Sequence, residues 1–184
     1  MKHLRRIIMI LAFINLTLVS FHAGCQIKGW TETGNSKWTL KDGEIESRPD
    51  GIGFLVSDES YTDFVLTVEF WNTDNFSGIM LRCSSPEKIT GKNSYKITIN
   101  RPDPENQDFI TGGIAYIAKP STIVDTSGKW NKYEITAKGN HIIVKLNGVT
   151  TADIEDNQFK SGPIALQTRG GITSFRNLVI KSLK

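Results

Sequence analysis

The fold class follows from residues 130–148, which read WNKYEITAKGNHIIVKLNG. Apolar and polar residues alternate through this stretch, with Tyr133, Ile135 and Ala137 in its first half. A period of two is typical of a half-buried strand. Two turn signals interrupt it, Gly139-Asn140 and Asn147-Gly148, and Asn-Gly tolerates the positive φ of a tight hairpin. The stretch therefore predicts consecutive antiparallel strands and not helices.

Similar segments lie on both sides of this stretch. Residues 164–167 and 175–183 are separated by Gly170-Gly171, which we interpret as a further turn of the same kind. Upstream, residues 63–71 alternate most clearly, with one entirely apolar face. No Pro/Gly/Ser-rich linker and no repeat divides the chain, so the sequence predicts one all-β antiparallel domain.

The first residues predict export. Lys2, Arg5 and Arg6 precede an apolar run over residues 7–19, which is the pattern of a secretory signal peptide and is short for a membrane span. We expect residues 1–24 to be this signal and residues 25–184 to be the domain. Ala23-Gly24-Cys25 also resembles a lipoprotein cleavage site, in which Cys25 would carry the lipid. The protein is thus expected to be periplasmic, lipid-anchored to a bacterial envelope through Cys25, or secreted without an anchor.

The charge balance argues against a nucleic-acid partner. The chain has 22 basic and 19 acidic residues, and three of the basic ones lie in the predicted signal peptide, which leaves 19 of each. No basic block interleaved with aromatic residues remains. We therefore expect no nucleic-acid binding.

Several polar residues fall on the non-core faces of three predicted strands. Residues 63–71 place Glu69 and Trp71 on one such face, and residues 77–82 place Arg82 there. The strand that begins at Tyr95 contributes three more, which are Lys96, Thr98 and Asn100. If the three strands are neighbours, these side chains converge on one surface. Polar groups beside Trp are typical of a sugar-binding groove, because sugars present both hydroxyls and apolar C–H faces.

Seven short motifs of the sequence resemble those of a known family. They occur in the order Ser77–Arg82, Tyr95–Ile99, Thr111–Ile114, Gly128–Asn131, Leu146–Gly148, Gly162–Gln167 and Phe175–Asn177. In this order they resemble the 3-keto-disaccharide hydrolase family over nearly all of the mature chain. The resemblance implies a concanavalin A-like jelly-roll sandwich, exported in bacteria, that acts on glycosides oxidised to a ketone at C3.

The implied chemistry assigns roles to the polar residues. A ketone at C3 acidifies the hydrogen on C2, so a base can remove it and the aglycone leaves C1 by elimination, after which water adds. Such a site needs a base and a donor or cation for the enolate oxygen. We take Glu69 as the base and Arg82, Tyr95 and Lys96 as donors, with the substrate an oligosaccharide or 3-keto-glycoside.

Two positions differ from the family pattern. Family members usually carry Glu where this chain has Lys96, and many carry His where Gln167 is here followed by Thr168-Arg169. These departures favour an alternative, a non-catalytic carbohydrate-binding module of the bacterial envelope. No cluster of His, Cys and carboxylates has zinc spacing, so no metal ligands are assigned, and a requirement for a divalent metal stays open.

Overall fold

The computed structural model describes residues 27–73, 76–100 and 107–183. The predicted signal peptide and Cys25 lie outside the described residues. No helix in the described part of the chain is long and apolar enough to cross a membrane.

Twelve strands and two short 3-10 turns make up the regular structure of the described residues. The strands are β1 (Trp30–Gly34), β2 (Trp38–Lys41), β3 (Glu44–Ser47), β4 (Ile52–Tyr61), β5 (Phe64–Asn72), β6 (Ser77–Leu81), β7 (Tyr95–Ile99), β8 (Asn131–Lys138), β9 (His141–Leu146), β10 (Val149–Glu155), β11 (Gly162–Arg169) and β12 (Thr173–Ser182).

The strands form two antiparallel sheets. One sheet has five strands in the order β1-β4-β11-β6-β7, and the other has seven in the order β10-β9-β8-β5-β12-β3-β2. The two sheets pack face to face over a shared core, so the predicted all-β sandwich is confirmed.

The core between the sheets is built from alternate residues of each strand. In β5 it takes Phe64, Leu66, Val68 and Phe70, each at most 1% exposed. Phe70 stacks on Tyr133 of β8 with ring centroids 4.9 Å apart. Burying side chains of this size stabilises the fold by roughly 1.5–3 kcal/mol each, which fixes which face of a strand points inward.

The predicted turns have two different outcomes. Asn147 and Gly148 have φ of 51° and 84° and join β9 to β10 in a hairpin, as predicted. Gly170 and Gly171 also have positive φ, but β11 and β12 belong to different sheets. The expectation of a hairpin at Gly170-Gly171 is therefore wrong, and this turn carries the chain from one sheet to the other.

A second crossing separates the strands that were expected to be neighbours. β5 lies in the seven-stranded sheet, whereas β6 and β7 pair with each other in the five-stranded sheet. Their non-core faces therefore lie on opposite outer surfaces of the sandwich. The candidate residues of β5 therefore cannot share a surface with those of β6 and β7.

Candidate functional site

A cavity of about 560 Å³ opens on the outer face of the five-stranded sheet. Its lining consists of Phe76, Met80, Ile89, Thr90, Gly91, Lys96, Phe109, Tyr116, Gln167 and Arg169. The volume is in the range of pockets that hold small ligands. We call it the outer-face pocket.

The alternation of side chains along the strands determines which residues form the pocket floor. Along β11, Ile164 and Leu166 enter the main core, so Gln167 and Arg169 take the outward positions. Met80 of β6 pairs in register with Lys96 of β7, which brings that lysine beside the same floor. The prediction that Lys96 lies on the non-core face is confirmed.

Three aromatic rings form one wall of the pocket. Phe109 is edge-on to Phe76 at 6.3 Å and to Tyr116 at 5.1 Å between ring centroids. Tyr116 has φ of 66°, and the backbone before it pairs with β7, because Ala115 N–H donates to the Lys96 carbonyl at 2.9 Å. The loop thus extends the sheet edge and holds an exposed ring over the cavity.

Lys96 is a buried cation with no carboxylate partner among the described residues. It is 6% exposed, and no ion pair of the described chain includes it. Its ammonium lies 5.6 Å from the centre of the Phe109 ring. Burial, and next the charge of Arg169, lower the pKa of Lys96 to about 8.

Gly78 makes room for this lysine. A Cβ at Gly78 would lie 2.9 Å from Cε of Lys96 and 2.8 Å from the backbone oxygen of Ile97. The backbone of Gly78 does not have a positive φ, so space and not backbone conformation requires glycine here. The lysine stem therefore lies across β6 and directs its amine toward the cavity.

Two buried oxygens beside Gly78 lack a hydrogen-bond partner in the described structure. They are Oγ1 of Thr98 and Oε1 of Gln167. Gly78 pairs in register with both residues, so the two oxygens flank the glycine in one row of the sheet. An unsatisfied buried polar group costs about 1–3 kcal/mol. Of the two residues, Gln167 lines the outer-face pocket, whereas Thr98 is fully buried.

The structure contradicts the expected convergence of Glu69 and Trp71 with Lys96. Both residues lie on the outer face of the seven-stranded sheet. Glu69 accepts hydrogen bonds from Arg176 Nε at 2.7 Å and Asn177 Nδ2 at 3.0 Å. These bonds, with Arg176 the larger cause, lower the pKa of Glu69. A carboxylate held this way on the far face cannot act as the base of the outer-face pocket.

Arg82 does not bind in the pocket either. It is 1% exposed and donates to the carbonyls of Thr62, Gly139 and Phe159, with Asp63 at 3.3 Å. These acceptors come from three separate connections at one end of the sandwich. Arg82 therefore joins loops, and the structure does not place it as a donor in the outer-face pocket.

Tyr95 and Asn100 are also buried away from the pocket. The Tyr95 hydroxyl donates to Asp156 Oδ1 at 2.6 Å and accepts from Phe159 N–H, and burial raises its pKa to about 12. Asn100 follows β7 and lines a separate small cleft beside Phe70. Of the expected site residues, Lys96 alone lines the outer-face pocket, and Thr98 lies buried beside it.

Several pocket residues are not among those predicted from the sequence. Gln167 and Arg169 were visible only as departures from a motif, although alternation along β11 would have placed them on one outward face. Phe76, Phe109 and Tyr116 reach the pocket from loops, for which no periodic pattern gives a direction.

The described residues contain no group of three or more His, Cys, Asp or Glu positioned to hold a metal ion. Cys83 is a buried free thiol whose pKa is raised to about 12, chiefly by burial.

Several solved structures share this fold. A candidate glycosyl hydrolase from Parabacteroides distasonis superposes with a TM-score of 0.71 at 22% identity, over 84% of this chain and 99% of that chain. Carbohydrate-binding module CBM66 from Bacillus subtilis has a TM-score of 0.61 at 22% identity, over 84% and 96%. The Bacillus licheniformis β-glucanase has a TM-score of 0.61 at 12% identity, over 88% and 95%. These likenesses confirm the jelly-roll fold.

No curated protein sequence matches the chain. One family model does match it, from residue 19 to residue 181, and it describes the 3-keto-alpha-glucoside-1,2-lyase-like domain. The match covers most of the printed sequence and confirms the resemblance drawn from the seven motifs. The chain belongs to the family of 3-keto-alpha-glucoside-1,2-lyase-like domains.

Proposed function

We propose that this protein cleaves 3-keto-glycosides in the outer-face pocket by elimination followed by hydration. One observation carries the proposal: two cations, Lys96 and Arg169, line a sugar-sized cavity without a carboxylate partner among the described residues. The family assignment supports the substrate class.

The pocket walls suit a sugar ring. Phe109 and Tyr116 offer aromatic surface for apolar C–H faces, while Gln167 and Thr90 offer polar groups for hydroxyls. The unpartnered Oε1 of Gln167 would accept a hydrogen bond from a sugar hydroxyl.

The cations match the charge that elimination creates. Loss of the C2 proton to solvent moves an electron pair toward the C3 oxygen, and that pair then expels the aglycone oxygen from C1, which leaves as an alcohol after taking up a proton. Water adds to C1 of the unsaturated ketone and returns a proton to C2. Positive groups already placed near the C3 oxygen stabilise the enolate-like transition state. Lys96 and Arg169 are the described cations of the pocket in a position to do so.

The test is release of a chromogenic aglycone from a 3-keto-glucoside and from its unoxidised parent. We expect turnover with the keto form alone, and loss of most of it in Arg169→Met. Lys145→Met is the matched control, because Lys145 lies on the outer face of the seven-stranded sheet beside Glu134. Equal cleavage of both substrates, or of neither, contradicts the proposal.

A second candidate function is carbohydrate binding without catalysis. It is favoured by one observation: no carboxylate lines the outer-face pocket among the described residues, so a conventional base for the C2 proton is missing there. The shared fold with CBM66 is compatible with it. Calorimetric binding of an oligosaccharide without cleavage of any keto-glycoside would support this alternative.

We also propose that the protein is exported and anchored to the envelope through Cys25. The proposal rests on the basic start, the apolar run and the Ala23-Gly24-Cys25 sequence. Metabolic labelling with a fatty acid tests it, with Cys25→Ser as the variant and Cys83→Ser as the matched control. Labelling that survives in Cys25→Ser contradicts the anchor, and a protein retained in the cytoplasm contradicts export.

A further inference from the structure

Lys96 offers more chemistry than a fixed positive charge. It is 6% exposed, lies against the apolar and aromatic side of the pocket, and shares that pocket with Arg169. A lysine amine becomes a nucleophile when it is desolvated or placed beside another cation, because both effects favour its neutral form. Both conditions hold for this side chain.

We infer that the ε-amine of Lys96 condenses with the ketone of a bound keto sugar to form an iminium. This inference rests on the proposed function for its substrate class, and it adds a covalent step.

The step balances without any redox partner. The neutral amine attacks the carbonyl carbon, and the resulting carbinolamine takes up one proton and loses water to give the iminium. The iminium withdraws electrons more strongly than a ketone, so the C2 proton passes to solvent and leaves an enamine. The enamine electron pair expels the aglycone, which leaves as an alcohol after taking up a proton. Water then adds at C1 and C2 takes up a proton, which regenerates the iminium, and hydrolysis of that iminium restores the ketone and the amine.

The surroundings of Lys96 suit a nucleophilic amine. The amine lies 5.6 Å from the centre of the Phe109 ring, and Arg169 lines the same pocket, so desolvation and a neighbouring cation both favour its neutral form. The lysine stem is held across Gly78, where any side chain would collide with Cε. The lysine stem is thus held in one orientation, and most of the side chain is removed from bulk water.

The lowered pKa of Lys96 also supports its role as a nucleophile. With its pKa lowered to about 8, Lys96 is neutral in roughly one molecule in ten at pH 7. An ordinary lysine with a pKa near 10.4 is neutral in fewer than about one in a thousand. Lys96 should therefore react with carbonyl compounds far faster than the exposed lysines of the same chain.

Reductive trapping tests the inference directly. The protein is incubated at pH 7 with a methyl 3-keto-glucoside and cyanoborohydride, which reduces an iminium to a stable secondary amine. The adduct adds the mass of the sugar less one oxygen atom, with or without loss of methanol, and peptide mapping locates it. The unoxidised methyl glucoside is the control compound, because its blocked C1 leaves no carbonyl.

Lys92 is the matched control residue within the same protein. It lies exposed at the pocket rim, 5.7 Å from the Tyr116 ring. We expect Lys96 to be labelled at least tenfold faster than Lys92. Equal labelling of the two lysines overturns the inference. This comparison uses the wild-type protein and does not depend on a variant folding.

Lys96→Arg separates covalent catalysis from charge alone. Arginine keeps the positive charge but has no nucleophilic amine at neutral pH. We expect a loss of about 100-fold or more in turnover of the keto-glycoside. Turnover within a few-fold of wild type would overturn the covalent step and leave the proposed function intact. A trapped adduct without aglycone release would instead support the covalent step and contradict the proposed elimination.

Discussion

The two outer faces of the sandwich differ in whether their charged side chains are paired. On the seven-stranded sheet, Glu69 is held by Arg176 at 2.7 Å, and the Arg176 guanidinium also lies 4.0 Å above the ring of Trp130. His141 Nε2 and Asp153 Oδ1 are also joined there by a hydrogen bond of 2.6 Å. On the five-stranded sheet, Lys96 and Arg169 line the outer-face pocket with no ion-pair partner among the described residues. Paired charges satisfy one another, whereas unpaired ones in a cavity remain available to a ligand.

The largest effect we expect is on the pH dependence of stability. The folded-state pKa of Lys96 is lowered to about 8, whereas in the unfolded chain it returns to about 10.4. Between these values the unfolded state binds more protons, so stability rises with pH. Relative to Lys96→Met, wild type should gain roughly 3 kcal/mol of unfolding free energy from pH 7 to 10.5.

Urea unfolding of both proteins across this range measures the difference, since the other titrating groups are common to both. A difference between the two proteins that stays constant with pH would mean that Lys96 is not desolvated. Lys96 would then be an ordinary solvated lysine, and the difference between the two faces in the state of their charged groups would be refuted.

The second prediction compares removal of a cation with removal of a carboxylate. Lys96→Met should lower turnover of a 3-keto-glucoside by about 100-fold or more, because it removes both the amine and the positive charge aimed at the developing enolate. Glu69→Gln should change turnover less than about twofold, since Glu69 lies on the opposite sheet. Initial rates of aglycone release measure both. A large loss in Glu69→Gln would restore that residue as the base and refute the division between the faces.

The third prediction concerns the other cation of the pocket. Arg169 ends β11 and is exposed, so Arg169→Met should leave stability nearly unchanged and lower kcat/KM by about tenfold. Thermal unfolding and steady-state kinetics measure the two quantities. Arg48→Met, a change at another exposed arginine, serves as the control. Equal kinetics for the two variants would remove Arg169 from the site.

The smallest effect should come from breaking the pair on the far face. Arg176→Met removes the principal partner of Glu69 and uncovers Trp130. Exposed pairs contribute little, so we expect a small fall in the thermal midpoint that diminishes at high salt. Differential scanning calorimetry at low and high ionic strength measures it. A large, salt-independent fall would show that packing against Trp130 dominates.

Alternation within each strand was predictable, and so was much of the fold. It gave the inward face of β5, the outward position of Lys96 on β7, and the hairpin at Asn147-Gly148. Each of these depends on neighbours close in the chain, because side chains alternate with a strict period of two. The motif order added the jelly-roll class and the family.

The assignment of strands to sheets was not predictable in the same way. The segment after Trp71 and the Gly170-Gly171 turn both carry the chain between sheets, and neither differs by composition from a hairpin turn. Because β5, β6 and β7 were predicted to be neighbours, Glu69 was assigned to the same surface as Lys96. Arg169 was not predicted as a site residue, because its neighbours on the pocket floor come from β6 and β7.

By itself, the sequence determined several of the strands, among them β5, β7, β8 and β9, together with their inward and outward faces, and it determined the family, since these follow from local alternation and from motif order. The tertiary structure alone decided which outward faces share a surface. That choice depends on pairing between residues far apart in the chain, such as Gly78 with Gln167. Burial then gave Lys96 its chemistry, because a lysine loses its water, and with it part of its affinity for a proton, only once distant elements close around it.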